Sequence, residues 1–220
     1  MLKRLIFDVD NTLITNVNFK DAIRSTLKKL NIYSKKNLND FLYGIKTYEN
    51  YFNNYNVEDY TKHISKSINE KLPKEFLNIF FEELKKAIPN KNEKLIKTIK
   101  ELSEVYELVL LTNYFSESQL NRLNNMGIGE FFIECHGEKI IKPNIESYLN
   151  ACGKHLPHEC VIIGDDLVLD IEQAQKLGLN TIFVNNKDIR NYKIKTIEVK
   201  KVEEINADLI NIIETKGSNK

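Results

Sequence analysis

Two aspartates, Asp8 and Asp10, close the apolar run Leu5-Ile6-Phe7 inside the stretch FDVDNTL. Carboxylates are rarely buried without a paired cation, hydrogen bonds or a metal, so two of them at the end of a predicted strand call for a compensating charge. Spaced two residues apart, they project to the same side if the chain stays extended. Other polar groups also stand where apolar runs stop. Thr112-Asn113 follows Val109-Leu110-Leu111, Lys142-Pro143 sits in a later connection, and Gly164-Asp165-Asp166 follows Val161-Ile162-Ile163, with Asp170 beyond. Gathered in one cleft, Asp8, Asp10, Asp165 and either Asp166 or Asp170 repel one another unless a cation binds. An all-oxygen, carboxylate-rich site with open positions suits Mg²⁺, a hard ion that keeps several waters and commonly meets a substrate phosphate.

The elements that must position these residues follow from the apolar periodicity. Beyond residue 90, apolar runs alternate with helical patterns. Strands are predicted over Val105–Leu111, Phe131–Glu134, Cys160–Ile163 and Thr181–Val184, and helices over Ser116–Met126, Pro143–Ala151 and Leu167–Leu177. That alternation predicts an α/β fold, a Rossmann-like parallel sheet with helices on both faces. In such a sheet, ligands bind at the carboxyl ends of the strands near the point where strand order reverses, which is where the polar groups above fall. Residues 16–89 break the rhythm. Asn18–Leu30, Lys36–Phe52, Val57–Asn69 and Pro73–Ile88 read as helices with no strand between them, so an all-helical insertion is expected after the first strand. The core domain is then 1–15 plus 90–220, with 16–89 as a helical cap, and Lys216–Lys220 is expected to fray.

The set FDVDNTL, LLTN, KP and IGDDLVLD, in this order and at these distances, resembles the haloacid dehalogenase-like (HAD) hydrolase superfamily. The insertion after the first motif resembles the α-helical cap of its phosphoglycolate phosphatase and sugar-phosphatase branch. The resemblance implies a Mg²⁺-dependent phosphatase acting on a small phosphomonoester through an aspartyl-phosphate. It assigns Asp8 as nucleophile and Asp10 as general acid and then base. It gives Thr112, Asn113 and Lys142 to the phosphoryl group. Asp8, the Asp10 carbonyl, Asp165 and Asp170 go to the metal, with Asp170 either a ligand or an orienter of its waters and of Lys142. A phosphomutase of the β-phosphoglucomutase type uses the same aspartates, and a non-catalytic phosphometabolite-binding protein predicts binding without turnover. A dehalogenase is disfavoured, since the family's dehalogenases lack the second aspartate. The chain departs from the pattern at Tyr114, where relatives often carry Gly, and at Asp166 and Leu169 in the last motif. Tyr114 is expected to narrow the entrance or touch substrate, and Asp166 to cap the following helix.

The remaining features point to structure. Cys152, His155, His158 and Cys160 form a compact cluster in a helix-to-strand connection, where a structural role is expected over zinc. The Tyr- and Asn-rich stretch Tyr48–Tyr60 reads as a helix–loop–helix of biased composition before it reads as a ligand-stacking surface. Lys+Arg 32 against Asp+Glu 31 in 220 residues gives a net charge of +1, so no nucleic acid or anionic membrane partner is expected. With three cysteines and no apolar window near the ~20 residues of a membrane span, a cytoplasmic protein, monomer or homodimer, is expected, with a small phosphorylated metabolite as its partner.

Overall fold

The computed structural model describes residues 1–15 and 18–217. The strand β1 (Arg4–Phe7) is followed by four helices, α1 (Phe19–Lys29), α2 (Lys35–Tyr48), α3 (Val57–Ile68) and α4 (Phe76–Lys86). Next come α5 (Glu93–Ser103), β2 (Glu107–Leu111), α6 (Ser116–Met126), β3 (Glu134–His136), α7 (Ile145–Cys152) and β4 (Cys160–Gly164). A π-helical turn, Leu167–Glu172, leads into α8 (Gln173–Lys176), then β5 (Asn180–Val184), β6 (Ile197–Val199) and α9 (Ala207–Gly217). The six strands form one sheet in the order β3-β2-β1-β4-β5-β6, with every pair parallel. This is the α/β, Rossmann-like architecture. Strand order reverses at β1, whose neighbours β2 and β4 carry the chain in opposite directions across the sheet.

The alternation of side chains along each strand divides the interior. Leu5, Phe7, Leu108, Leu110, Val161 and Ile163 pack on one face with Leu95, Ile99, Leu123 and Ile210 of the helices. Ile6, Val109, Leu111 and Ile162 pack on the other with Tyr148, Ala151 and Ala174. The four helices after β1 bury a cluster of their own, built from Ile23, Leu27, Phe41, Tyr48, Tyr60, Ile64, Phe76 and Phe80. Tyr114, Phe115 and Ile141 from the sheet side join it. Asparagine starts many of these helices. Asn18, Asn56, Asn92 and Asn144 each accept a backbone N–H of the first turn through the side-chain oxygen.

Local chemistry moves several predicted boundaries. The strand expected over Phe131–Glu134 is instead a 3₁₀ turn at Gly129–Phe131 followed by β3, because Phe132 turns inward against Phe7, ring centroids 5.7 Å apart. The helix expected from Pro143 begins at Ile145, where Asn144 supplies the cap that Pro143 cannot. The helix expected to reach Phe52 stops at Tyr48, where Tyr48 stacks on Phe52 at 4.6 Å and the chain turns into a loop. Leu167–Leu177 opens as a π-helical turn, with the Tyr148 hydroxyl donating to the Leu169 carbonyl. In the expected tail, residues 216–217 close α9 and 218–220 lie outside the described residues. α5, β6 and α9 lie outside the predicted elements, β6 being short and α9 weakly periodic. No helix among the described residues is long and apolar enough to cross a membrane.

At the amino ends of the strands, buried Arg4 donates from Nε to Glu107 Oε2 at 3.0 Å and from Nη1 to the Ala151 carbonyl at 3.0 Å and Glu134 Oε2 at 3.2 Å. A Cβ at Gly153, whose φ is +62°, would lie 2.6 Å from Arg4 Nη1, so both the turn and the close approach require glycine there. Hydrogen bonding from Arg4, only partly opposed by burial, holds the Glu107 carboxyl down at about 2. A folded-state value below that of the unfolded chain adds stability above the ordinary carboxylate range, which is lost as pH falls toward the folded value. The stability gap between wild type and Glu107→Gln, read from denaturant midpoints, is therefore expected to be full at pH 7 and to close between about pH 4.5 and 2. A gap independent of pH would contradict this.

Candidate active site

β1 ends at Phe7, and the chain turns at once. The Val9 carbonyl accepts the N–H groups of Leu13 at 3.0 Å and Ile14 at 2.9 Å, while Asn11 takes a left-handed φ of 66° that asparagine tolerates. The chain does not stay extended here, and the carboxylates of Asp8 and Asp10, though both line one cleft, take different partners. Asp8 remains at the strand end and receives Lys142 Nζ at 2.9 Å. Asp10 turns toward α6, where Arg122 Nη2 donates to its Oδ1 at 2.6 Å and Gln119 Nε2 to its Oδ2 at 2.8 Å.

The carboxyl end of β4 completes the site. Oxygens of Asp8, Asp165 and Asp170 lie within 4.8 Å of one another, with all three residues buried. Asp170 reaches this point because Gly164 has no side chain; a Cβ there would stand 2.2 Å from Asp170 Oδ2. Asp166 caps the next turn by accepting from Val168 N and Leu169 N, both at 2.8 Å, while its own N–H donates to Asp170 Oδ2 at 3.0 Å. Lys142 Nζ bridges Asp8 and Asp170, the latter at 2.6 Å, and Lys187 Nζ reaches Asp165 Oδ2 at 2.6 Å. Burial chiefly, partly offset by Lys142 and reinforced by Asp170 and Asp165, pushes Asp8 up to about 7. Burial also raises Asp165 against the pull of Lys187. On Lys142, burial alone would lower the pKa, but Asp170 and Asp8 override it and hold the ammonium charged. Two lysines thus face three buried carboxylates. A set of clustered, hard carboxylate oxygens fits a divalent cation such as Mg²⁺.

Thr112 and Asn113 stand at the end of β2. Gln119 Nε2 donates to Thr112 Oγ1 at 2.9 Å, which leaves the hydroxyl proton to point elsewhere. Asn113 fastens the lysine segment, accepting from Lys142 N at 2.8 Å and donating to the Lys142 carbonyl at 2.9 Å. These residues line a cleft of about 190 Å³ with Asp8, Asp10, Glu49, Asp166 and Leu169. Every residue singled out in the sequence for the chemistry therefore borders this cleft. Tyr114 does not follow its expectation. It is buried in the helical cluster, 5.3 Å from Tyr55 and 5.4 Å from Phe115 between ring centroids, and joins sheet to helices instead of facing the cleft.

Gln119, Arg122, Lys187 and Glu49 escape the sequence reading. The first two left a signal: Gln119 and Arg122 occupy the inward positions of α6 alongside Leu123 and Met126, where periodicity calls for apolar side chains. Arg122 also lies 5.5 Å from the centroid of the Phe19 ring. Lys187 lies in a loop and Glu49 caps the carboxyl end of α2, and neither carries such a mark. The Cys152–Cys160 cluster has other attachments. Cys152 and Cys160 are buried free thiols, and His155 Nε2 sits 3.0 Å from Glu107 Oε2.

Comparison with known proteins agrees with this geometry. The protein named HAD-hydrolase YfnB of Bacillus subtilis (strain 168) is 30% identical over 115 residues, a match spanning 49% of each chain, so the aligned part covers about half the length of that relative. A crystal structure of the Bacillus subtilis YfnB bound to magnesium superposes with a TM-score of 0.68 at 22% identity, covering 96% of this chain and 98% of that one. A HAD phosphatase from Thermococcus onnurineus gives 0.70 at 21% identity over 96% and 98%. A 2-haloacid dehalogenase from Pseudomonas syringae gives 0.71 at 15% over 98% and 99%, so the shared fold alone does not choose a reaction. The family profile described as haloacid dehalogenase-like hydrolase matches residues 5–184, a span that runs from β1 to the end of β5 and takes in every strand-end residue of the cleft. The chain belongs to the haloacid dehalogenase-like hydrolases and is an enzyme of that family.

Proposed function

We propose that the cleft hydrolyses a small phosphomonoester in a Mg²⁺-dependent reaction, with Asp8 as nucleophile. The observation that carries the reading is the Asp8 carboxylate held at 2.9 Å by Lys142 beside Asp165 and Asp170, with a second aspartate two residues on. Asp10 separates this reading from haloalkane chemistry, because loss of an alkoxide needs a proton that loss of a halide does not. Asp8, Asp165, Asp170 and the Asp10 carbonyl would hold Mg²⁺, which neutralises charge on a bound phosphate.

In the first half-reaction an Asp8 oxygen forms a bond to phosphorus as the bond from phosphorus to the ester oxygen breaks, and Asp10 delivers its proton to that oxygen. In the second, Asp10 takes a proton from water, whose oxygen bonds to phosphorus while the aspartyl-phosphate bond breaks and frees Asp8 and inorganic phosphate. Lys142 and the Thr112 hydroxyl oppose the charge on the phosphoryl oxygens, together with the backbone N–H of Asn113. Arg122 and Gln119 hold the Asp10 side chain from the α6 side, so Asp10 must exchange part of that grip to work at the ester oxygen. The helices α1–α4 serve as a cap over the cleft that excludes water, with residues 16–89 as cap and 1–15 plus 90–220 as core. A cytoplasmic setting accords with three free thiols.

Three outcomes test this reading. Phosphate release from small phosphomonoesters is expected to require Mg²⁺ and to fall by at least about 10³-fold in Asp8→Asn; release that survives the substitution would refute the nucleophile. Asp10→Asn is expected to release up to one equivalent of p-nitrophenol from p-nitrophenyl phosphate in a burst and then stall, because that leaving group needs no proton while the trapped intermediate still needs a base. Linear release without a burst would argue against the paired roles. Saturating Mg²⁺ is expected to raise the melting temperature of the wild type, since ligand at 100 times its Kd adds about 2.7 kcal/mol, but not that of Asp165→Asn.

A further inference from the structure

The cleft is lined by six carboxylates, those of Asp8, Asp10, Glu49, Asp165, Asp166 and Asp170, and among the described residues by the single ammonium of Lys142. Five of the six come from strand ends or the turns that follow them. Glu49 alone comes from the helices, at the carboxyl end of α2, and it is fixed by two hydrogen bonds. Its Oε1 accepts from the Tyr55 hydroxyl at 2.7 Å and its Oε2 from Asn113 Nδ2 at 3.0 Å. Both anchors are themselves held. The Tyr55 ring is buried, and its backbone N–H donates to the Glu138 carbonyl at 2.7 Å. Asn113 is tied to the Lys142 backbone on both sides of its amide. The loop returns a second backbone bond, Ile141 N to the Asn53 carbonyl at 3.1 Å. A carboxylate offers about four acceptor positions, and two of those on Glu49, which lines the cleft, are spent, so about two remain.

Lys142 is already engaged by Asp8 and Asp170, leaving no lining cation to face Glu49 among the described residues. An anionic group on the leaving portion of a substrate would meet Glu49, and Asp166 beyond it, uncompensated, whereas a hydroxyl or ammonium would donate to it. Resting on the phosphatase reading above, we propose that Glu49 restricts the substrate to phosphomonoesters whose leaving group is uncharged or cationic and carries a hydrogen-bond donor, and that it rejects those bearing a second anion. Of the substrate classes compatible with the sequence, this favours polyhydroxy and nucleoside leaving groups and removes phosphoglycolate.

Three esters of one two-carbon skeleton provide the test: hydroxyethyl phosphate, aminoethyl phosphate and phosphoglycolate, with p-nitrophenyl phosphate as the common reference. In the wild type, kcat/KM for the hydroxyl and ammonium esters is expected to exceed that for phosphoglycolate by about tenfold or more, the scale of a like-charge penalty. In Glu49→Gln, which keeps an acceptor for Tyr55 and removes the charge, that ratio is expected to fall by about tenfold. A loosened loop would depress all three esters together and leave the ratio as it was. Equal or better use of phosphoglycolate by the wild type, or an unchanged ratio in Glu49→Gln, overturns the inference while p-nitrophenyl phosphate turnover leaves the phosphatase reading standing. Release from none of the four overturns both.

Discussion

The fold's chemistry depends on how the charge of three buried carboxylates is balanced. Asp8, Asp165 and Asp170 hold oxygens within 4.8 Å of one another at the floor of a cleft, and Lys142 is inserted between two of them. Two like charges about 4 Å apart cost roughly 4 kcal/mol at an effective dielectric of 20, against roughly 1 in water. A cluster of this kind persists only with opposite charge built in or bound. The lysine supplies part, Lys187 supplies part at Asp165, and the remainder is a reason to bind a cation. Crowded hard oxygens of this kind attract a metal and, through it, a phosphate.

The sheet exists to make that crowding possible. Reversal of strand order at β1 brings the ends of β1, β2 and β4 side by side, each strand buried on both faces so that its end is fixed by packing. Gly164 lets Asp170 approach the backbone of β4 more closely than any side chain would allow. Asn113 links the lysine loop to the end of β2, and through Glu49 it links the helical layer to the same point. The Arg4 network closes the amino ends of the strands, and the clustered carboxylates stand at the carboxyl ends.

The sheet and its strand-end residues were legible in the sequence because a parallel strand buried on both faces leaves a continuous apolar run, and a carboxylate that ends such a run has few structural reasons to be there. The helical layer was legible in number but not in extent, since α2 stops at Tyr48 through aromatic stacking that no local propensity encodes. The different partners of Asp8 and Asp10 were hidden because spacing assumes an extended chain, and the turn at Val9 to Ile14 breaks that assumption within one residue. Lys187 comes to the site from a loop and Glu49 from the carboxyl end of α2, both distant in sequence and at places where periodicity says nothing about direction. Gln119 and Arg122 were visible only as polar residues on the inward face of α6.

The proposed reaction turns on where the phosphoryl group resides between its two half-reactions. Acid quenching of the wild-type enzyme during Mg²⁺-dependent turnover, followed by peptide mapping by mass spectrometry, reads this directly. A phosphoryl group on the peptide that holds Asp8, with fragmentation placing it on that residue, is the predicted result. A phosphoryl group on any other residue, or steady phosphate release with no phosphorylated enzyme and undiminished activity in Asp8→Asn, would contradict it.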